Sequence, residues 1–322
     1  MDDMHETMER IMTGTMPPEE IRGVLQALAA RGETAEEIAA AVETLRQHAV
    51  PLPLSRPLEL CDTCGTGGDR TGSFNISTLA ALVAAAAGVR ISKHGNRAAS
   101  SRCGSADVLG GLGLNLEASP DHVARSIEEL GFGFCFAPAF HPAMKAVADV
   151  RRELGIRTIF NLIGPLANPA ALTFQLVGVS DSRLMPPMAH ALQHLGIRHG
   201  MVVHGLDGLD EATTTGETEV LEVRGATLEA FRLRPEEFGF PRASLEDLRG
   251  GDPQENVRIA RDVLSGRPSR QRDAVALNAG CAIYAANQAY SIPEGIAKAE
   301  AVLESGRALA LLQRVVELSN QG

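Results

Sequence analysis

The stretch from Cys64 to Asn75, which reads Cys-Gly-Thr-Gly-Gly-Asp-Arg-Thr-Gly-Ser-Phe-Asn, limits the fold more than any other part of the chain. Glycine stands at 65, 67, 68 and 72. A short apolar run from Leu58 to Cys64 precedes the stretch, and a helix former from Ile76 to Ala87, ending at Gly88, follows it. A glycine-rich connection between a strand and a helix lets bare backbone N–H groups close around an anion, and the helix N-terminus adds partial positive charge. A flexible surface turn would explain one such loop, but a second follows at once. Lys93-His94-Gly95-Asn96-Arg97-Ala98-Ala99-Ser100-Ser101 leaves the strand-like run Val89 to Ser92, and Gly104-Ser105 opens the next helix. Two adjacent small-residue loops, one carrying Lys93 and Arg97, suit a ligand with more than one phosphate. Neither is a common phosphate loop. Arg70 occupies the third glycine position of a dinucleotide fingerprint, and the Gly-Lys-Ser/Thr of a P-loop is absent.

Around these loops the pattern is α/β. Residues 1 to 50 read as helices: Pro17-Pro18-Glu19-Glu20 starts one, and Thr34 with Glu37 forms a capping box for another, from Ile38 to Leu45. Pro51-Leu52-Pro53 then begins a connection. From Leu58 onward, strands alternate with helices. Phe132 to Phe136, Leu176 to Val179 and Met201 to His204 are strand candidates, and Ser119-Pro120, Arg183 to Leu195, Asp273 to Gln288 and Glu294 to Leu318 mark helices. Strands separated by helices imply a largely parallel sheet covered on both faces. The expected architecture is a small N-terminal helical domain, residues 1–57, and a large α/β domain, residues 58–322, with a mostly parallel central sheet. Between His141 and Pro169 the alternation breaks. Met144, Val147, Val150 and Leu154 fit one helix face, and the stretch after Phe160 reads as a loop.

Composition narrows the partners. A formal charge of −10, two tyrosines and no tryptophan argue against a nucleic-acid surface, which needs a basic face and stacking platforms. No apolar stretch approaches a membrane span, and the acidic, polar start carries no secretory or transit signal, so the cytoplasm is the expected compartment. Cys61 and Cys64 form a C-x-x-C pair without the further ligands that a zinc site needs, and they read as small strand residues beneath the loop.

Asp210-Glu211 follows the strand Met201 to His204, in a loop with Gly205 and Gly208. Alone, an Asp-Glu pair is a solvated acidic turn. At the C-terminal edge of an open α/β sheet, beside two phosphate loops, it reads as a pair of hard oxygen donors for Mg²⁺. Such a pair is expected to lie exposed on its loop. Asn75, Ser77 and Thr78 stand where a helix begins, and one of them is expected to cap it. An aromatic acid would call for a positioned arginine, with Arg151, Arg152 and Arg157 as candidates.

These loops, together with Gly104-Ser105-Ala106-Asp107-Val108-Leu109, His141-Pro142-Ala143-Met144, the run Arg151 to Gly155, the block Arg157 to Pro169 and the block His204 to Glu211, resemble the anthranilate phosphoribosyltransferases. In register, the blocks span about half the chain, which makes the match far more specific than any single motif. The resemblance implies transfer of the phosphoribosyl group of phosphoribosyl pyrophosphate to anthranilate, with Mg²⁺, two ions per subunit, as cofactor. It also implies a homodimer formed through the helical domain, and a cleft between the domains. By the same resemblance Gly65, Gly68, Asp69, Ser73, Asn75, Ile76, Ser77, Thr78, Lys93, His94, Gly95, Asn96, Arg97, Ala98, Ala99, Ser100, Ser101 and Ser105 bind phosphoribosyl pyrophosphate. Gly65, Asn96, His94 and Pro165 lie near anthranilate, and Arg151 meets its carboxylate. Ser77, Asp210 and Glu211 hold the metal, and His94, Asn96 and Arg151 are the catalytic candidates, His94 as acceptor of the amine proton. The chain departs from the family in Arg70, where a glycine is usual, and in Gly110-Gly111, where bulkier residues are usual. The competing readings are a pyrimidine nucleoside phosphorylase-like enzyme and a non-catalytic paralogue that binds nucleic acid.

Overall fold

The structure, a computed structural model, describes residues 4–98 and 102–321. Helices α1 (Met4–Met12), α2 (Pro18–Arg31) and α3 (Ala35–Gln47) open the chain. The capping box of α3 is present: the Thr34 N–H donates to Glu37 Oε2 (3.0 Å) and the Glu37 N–H donates to Thr34 Oγ1 (3.2 Å). The α/β part then runs β1 (Cys61–Gly65), α4 (Ile76–Ala86), β2 (Ile91–Gly95), α5 (Ser105–Gly111), α6 (Pro120–Leu130) and β3 (Phe132–Phe136). Helices α7 (Ala137–Phe140), α8 (Lys145–Leu154) and α9 (Ile159–Leu166) lead back to β4 (Phe174–Gly178), α10 (Met185–His194) and β5 (His199–Gly205). An antiparallel hairpin follows, β6 (Thr218–Arg224) and β7 (Thr227–Leu233), then α11 (Pro253–Leu264), α12 (Arg270–Ala285), α13 (Ile292–Glu304) and α14 (Arg307–Ser319).

The seven strands lie in the order β3-β2-β1-β4-β5-β6-β7. The first five in chain order run parallel, and β6 and β7 extend the edge antiparallel. Side chains alternate across the sheet, as strand geometry requires. Cys61, Phe134, Leu176, Met201 and Val203 face one core with α4 and α12, whereas Cys135, Val177 and Val202 face another. This second core continues without interruption through α9 and α10 into Leu45, Leu25 and Met8 of the helical domain.

Several expectations shift. β2 continues past Ser92 to Gly95 because Lys93 and His94, polar in sequence, are both buried. The expected loop after Phe160 is instead α9. Asn161 Oδ1 accepts the Thr158 N–H (3.0 Å), and Pro165 near the helix end removes only one late hydrogen bond. The expected helix from Glu294 to Leu318 is two helices, broken at Gly306 with φ +69°. The segment around 141–169 packs on the helical domain. α8 lies on α2 and α9 lies on α3, with Arg22 NH2 2.6 Å from Glu153 Oε2. Among the described residues no helix is long and apolar enough to cross a membrane. All five cysteines are free, and burial pushes the Cys64 thiol up to about 12.

Candidate active site

Four parallel strands, β1, β2, β4 and β5, end in glycine at the same edge of the sheet: Gly65, Gly95, Gly178 and Gly205. At two of these ends the reason is direct. A Cβ on Gly178 would stand 1.6 Å from the Asp210 carbonyl oxygen, and one on Gly65 would stand 2.3 Å from Asp210 Oδ2. The loop after β5 therefore lies directly on the strand ends, and it delivers Asp210 and Glu211 to the phosphate loop. Asp210 Oδ2 accepts the Gly67 N–H (2.7 Å) and Glu211 Oε1 accepts the Ser77 N–H (3.0 Å).

This last bond corrects an expectation. No side chain of Asn75, Ser77 or Thr78 caps α4; Asn75 Nδ2 turns away to the Cys103 carbonyl (3.1 Å). Glu211, from a distant loop, takes the orphan N–H at the helix N-terminus instead, where a negative charge is favoured. The pair is also not exposed: Asp210 and Glu211 are both half-buried. Burial raises both carboxyl pKa values, reinforced by Asp69 at Asp210 and by Asp210 at Glu211, while Lys93 opposes it at Glu211. Crowded carboxylates of this kind, each with one oxygen already engaged, suit a hard divalent cation that takes its remaining ligands from water and phosphate. Among the described residues no group of three or more His, Cys, Asp or Glu forms an all-protein cage.

The glycine loop is pinned where it turns. Gly67, Gly68 and Gly72 have positive φ, and so does Arg70 at +58°. Asp69 holds the turn by accepting from Thr71 Oγ1 (2.6 Å), and Ser73 bridges to Arg249. Ile76 and Thr78 are buried, whereas Ser73, Asn75 and Ser77 are half-buried. In the second loop, Asp107 Oδ2 accepts from the Ala98 and Gly104 N–H groups (2.9 Å each), and its other oxygen accepts from Arg97 NH1 (3.1 Å). The Asn96 carbonyl accepts from Ser105 Oγ (3.3 Å) and from the Ala106 N–H (3.1 Å), so α5 starts against the end of β2. The expected ligand contacts of Ala99, Ser100 and Ser101 lie outside the described residues.

Lys93 is only 2 % exposed, and its Nζ donates to the Thr63 carbonyl (2.5 Å) behind the loop. Beside it Asp62, fully buried, accepts from the Thr63 N–H (2.7 Å), the His94 N–H (3.2 Å) and Asn168 Nδ2 (2.9 Å). Burial pushes the Asp62 carboxyl up to about 6 against the pull of Lys93. Asp62 and Asn168 were not singled out by the sequence reading. A charge inside an apolar strand flanking a glycine loop was the available signal, since such a group needs partners when buried.

The end of β2 also faces α9. His94 Nδ1 lies 3.1 Å from the Gly164 carbonyl, which can only accept, so the proton sits on Nδ1 and Nε2 keeps its lone pair. That Nε2 is buried with no partner among the described residues. His141 packs edge-on, with ring centroids 5.0 Å apart, and burial holds His94 down to about 3 and His141 to about 4. Of the three candidate arginines, Arg152 pairs with Asp149 (2.6 Å) and Arg157 with Glu33 (3.5 Å). Arg151 has no carboxylate partner among the described residues and stacks over the Phe160 ring at 5.3 Å, one helical turn before Gly164.

Residues 58–309 match the glycosyl transferase family, a/b domain, and residues 1–49 match its helical bundle domain. The anthranilate phosphoribosyltransferase of Desulfitobacterium hafniense (strain DSM 10664 / DCB-2) is 52 % identical over 308 residues, covering 96 % of this chain and 91 % of that protein. The chain belongs to the anthranilate phosphoribosyltransferase family. A crystal structure of that family's member from Thermus thermophilus is similar with a TM-score of 0.93 and 51 % identity, covering 98 % of this chain and 94 % of the other. The Saccharomyces cerevisiae member, solved in complex with PRPP and Mg, is similar with a TM-score of 0.91 and 30 % identity, covering 99 % and 93 %. The helical domain followed by a mostly parallel sheet is thus the family architecture. Arg70 holds a left-handed conformation that glycine adopts without strain. Gly111 lets α5 close on α11, where a Cβ would meet Val257 Cγ2 at 2.6 Å.

Proposed function

We propose that this chain transfers the 5-phosphoribosyl group of phosphoribosyl pyrophosphate to the amino group of anthranilate, giving N-(5-phosphoribosyl)anthranilate and pyrophosphate in tryptophan biosynthesis. The observation that carries the reading is the closure of the Asp210–Glu211 loop onto the glycine loop through the Gly67 and Ser77 N–H groups. It puts anion-binding backbone and cation-binding carboxylates at one sheet edge, in a chain of this family. Phosphoribosyl pyrophosphate lies along Gly65 to Thr78 and Lys93 to Ser105. Magnesium, two ions per subunit, is held by Ser77, Asp210 and Glu211.

The acceptor lies between Gly65, Asn96, Pro165 and His94, with Arg151 on its carboxylate. Support for that role is the partly buried guanidinium free of any acidic partner among the described residues. The C1–O bond to pyrophosphate breaks with its electron pair on the leaving oxygen, and the amine lone pair forms the C1–N bond on the opposite face. The chemistry that bound magnesium supplies is charge neutralisation of the departing pyrophosphate. The protein's own part is to position the partners and exclude water. His94 Nε2, kept neutral by burial, can accept the amine proton.

The helical domain comprises residues 1–57 and the catalytic domain 58–322. The protein works in the cytoplasm as a homodimer through the helical domain, a reading that the family resemblance supports. The test is to mix the protein with phosphoribosyl pyrophosphate, Mg²⁺ and anthranilate and follow the loss of anthranilate fluorescence. Loss that requires all three components is expected, and none would refute the activity.

A further inference from the structure

The C-terminal end of α9 is held in a way that the reaction above does not call on. A helix leaves its last carbonyls without intrahelical partners. Here three consecutive ones are each taken by a side chain from a different element. His94 of β2 reaches the Gly164 oxygen (3.1 Å), and the fully buried Gln175 of β4 donates to the Pro165 oxygen (2.7 Å). Arg46 of α3 donates through NH2 to the Leu166 oxygen (2.7 Å), across 120 positions of sequence.

Arg46 is the only one of the three that comes from the helical domain. Its Nε is buried without a partner, and no carboxylate lies within ion-pair distance of it among the described residues. The cation is therefore committed to the negative end of the α9 dipole, where positive charge is favoured. Burial lowers its pKa to about 10, which leaves it charged at neutral pH. It also lies close enough to His94 and His141 to help hold both rings neutral.

We propose that Arg46 is a positioning residue for the acceptor: by capping Leu166 it fixes the α9 terminus that carries Pro165 and anchors the His94 ring. Docking of the helical domain then sets how firmly the aromatic acceptor is held, while the glycine loop after β1, which makes no bond to the α9 terminus among the described residues, is left alone. The inference rests on the acceptor placement proposed above.

The experiment compares Arg46→Met and Arg46→Lys with the wild-type protein, measuring KM for each substrate and kcat in the same preparations. In Arg46→Met the KM for anthranilate should rise about tenfold, with that for phosphoribosyl pyrophosphate within about twofold, as loss of one charge-assisted bond on one side of the cleft predicts. Arg46→Lys returns a charge and a donor without the planar fork, and should recover part of the loss. Equal rises for both substrates, or an unchanged acceptor KM in a folded variant, would overturn the proposal. Loss of the folded protein in both variants would overturn it too, because Arg46 would then be holding the fold rather than the acceptor. A wild-type protein with no transfer activity would instead refute the functional reading itself.

Discussion

Replacing Gly178 by alanine tests whether the strand-end glycines set the position of the Asp210–Glu211 loop. The new Cβ would lie 1.6 Å from the Asp210 carbonyl oxygen and 2.5 Å from its carbon. Both are backbone atoms, so no rotamer change relieves the overlap. An ordinary carbon–oxygen contact is about 3.3 Å, so the loop must rise by roughly 1.7 Å. Asp210 Oδ2 is bonded to the Gly67 N–H at 2.7 Å, and that bond cannot survive such a shift. The overpacking should cost about 1–3 kcal/mol of stability, which leaves the protein folded. A misplacement of about 1 Å costs about a hundredfold in rate, so kcat should fall by at least that much. The assay is anthranilate fluorescence across a Mg²⁺ titration, with circular dichroism as the folding control. Gly23→Ala, on an exposed face of α2 with nothing near the new methyl, serves as a neutral companion. A folded Gly178→Ala protein with wild-type turnover and Mg²⁺ requirement would refute the argument.

The double change Asp210→Asn/Glu211→Gln should lower Mg²⁺-dependent turnover by about a hundredfold or more, since it removes both carboxylates proposed to hold the metal. Because burial raises both carboxyl pKa values, neutral amides should leave thermal stability at pH 7 equal or higher; a large drop in Tm would contradict this. Arg151→Ala should raise the anthranilate KM by about one to two decades and spare that of phosphoribosyl pyrophosphate, from the value of a charge-assisted bond. Equal effects would sink the carboxylate role. Gly68→Val must force a β-branched residue to φ +79°, and should abolish phosphoribosyl pyrophosphate binding by calorimetry while the protein stays folded. The buried histidines predict an acid limb. His94 and His141 have folded values near 3 and 4 against 6.5 in the unfolded chain, so protons bind the unfolded state first as pH falls. Stability is then lost below pH about 6.5, by about 1.4 kcal/mol per pH unit for each ring, until the folded values are reached. His141→Asn should flatten that limb in urea titrations between pH 6.5 and 4, and parallel limbs would count against the assignment.

Local chemistry was legible where its signal is local. The Thr34–Glu37 box, the Ser119 cap and the positive φ of Gly68 all follow from neighbours in sequence. The β6–β7 hairpin carried a readable alternation around the Gly225 turn, yet the sequence reading placed no strands there, because the pattern interrupts the expected strand–helix order. α9 was hidden by Asn161 and Pro165, which locally argue for a loop; burial against α3 overrides that preference. The remaining gaps concern partners far apart in the chain. Nothing near Ser77 announces that its cap is Glu211, 134 positions away, and nothing near Leu166 points to Arg46. Such pairings are fixed by the tertiary arrangement, which neither propensity nor spacing encodes.

The unbroken apolar core between the two domains bears on how the cleft can move. From Met8 through Leu45 and Leu166 to Val177 and Val202, oily side chains pack in one continuous buried cluster. Swinging the helical part away as a rigid body would wet that whole interface, so opening by a wide hinge is energetically closed off. Sliding of α2 and α3 along α8 and α9, by the small steps that packed helices allow, keeps it dry. A single protease cut between residues 51 and 57 should accordingly leave one particle of unchanged size on gel filtration rather than two independent bodies.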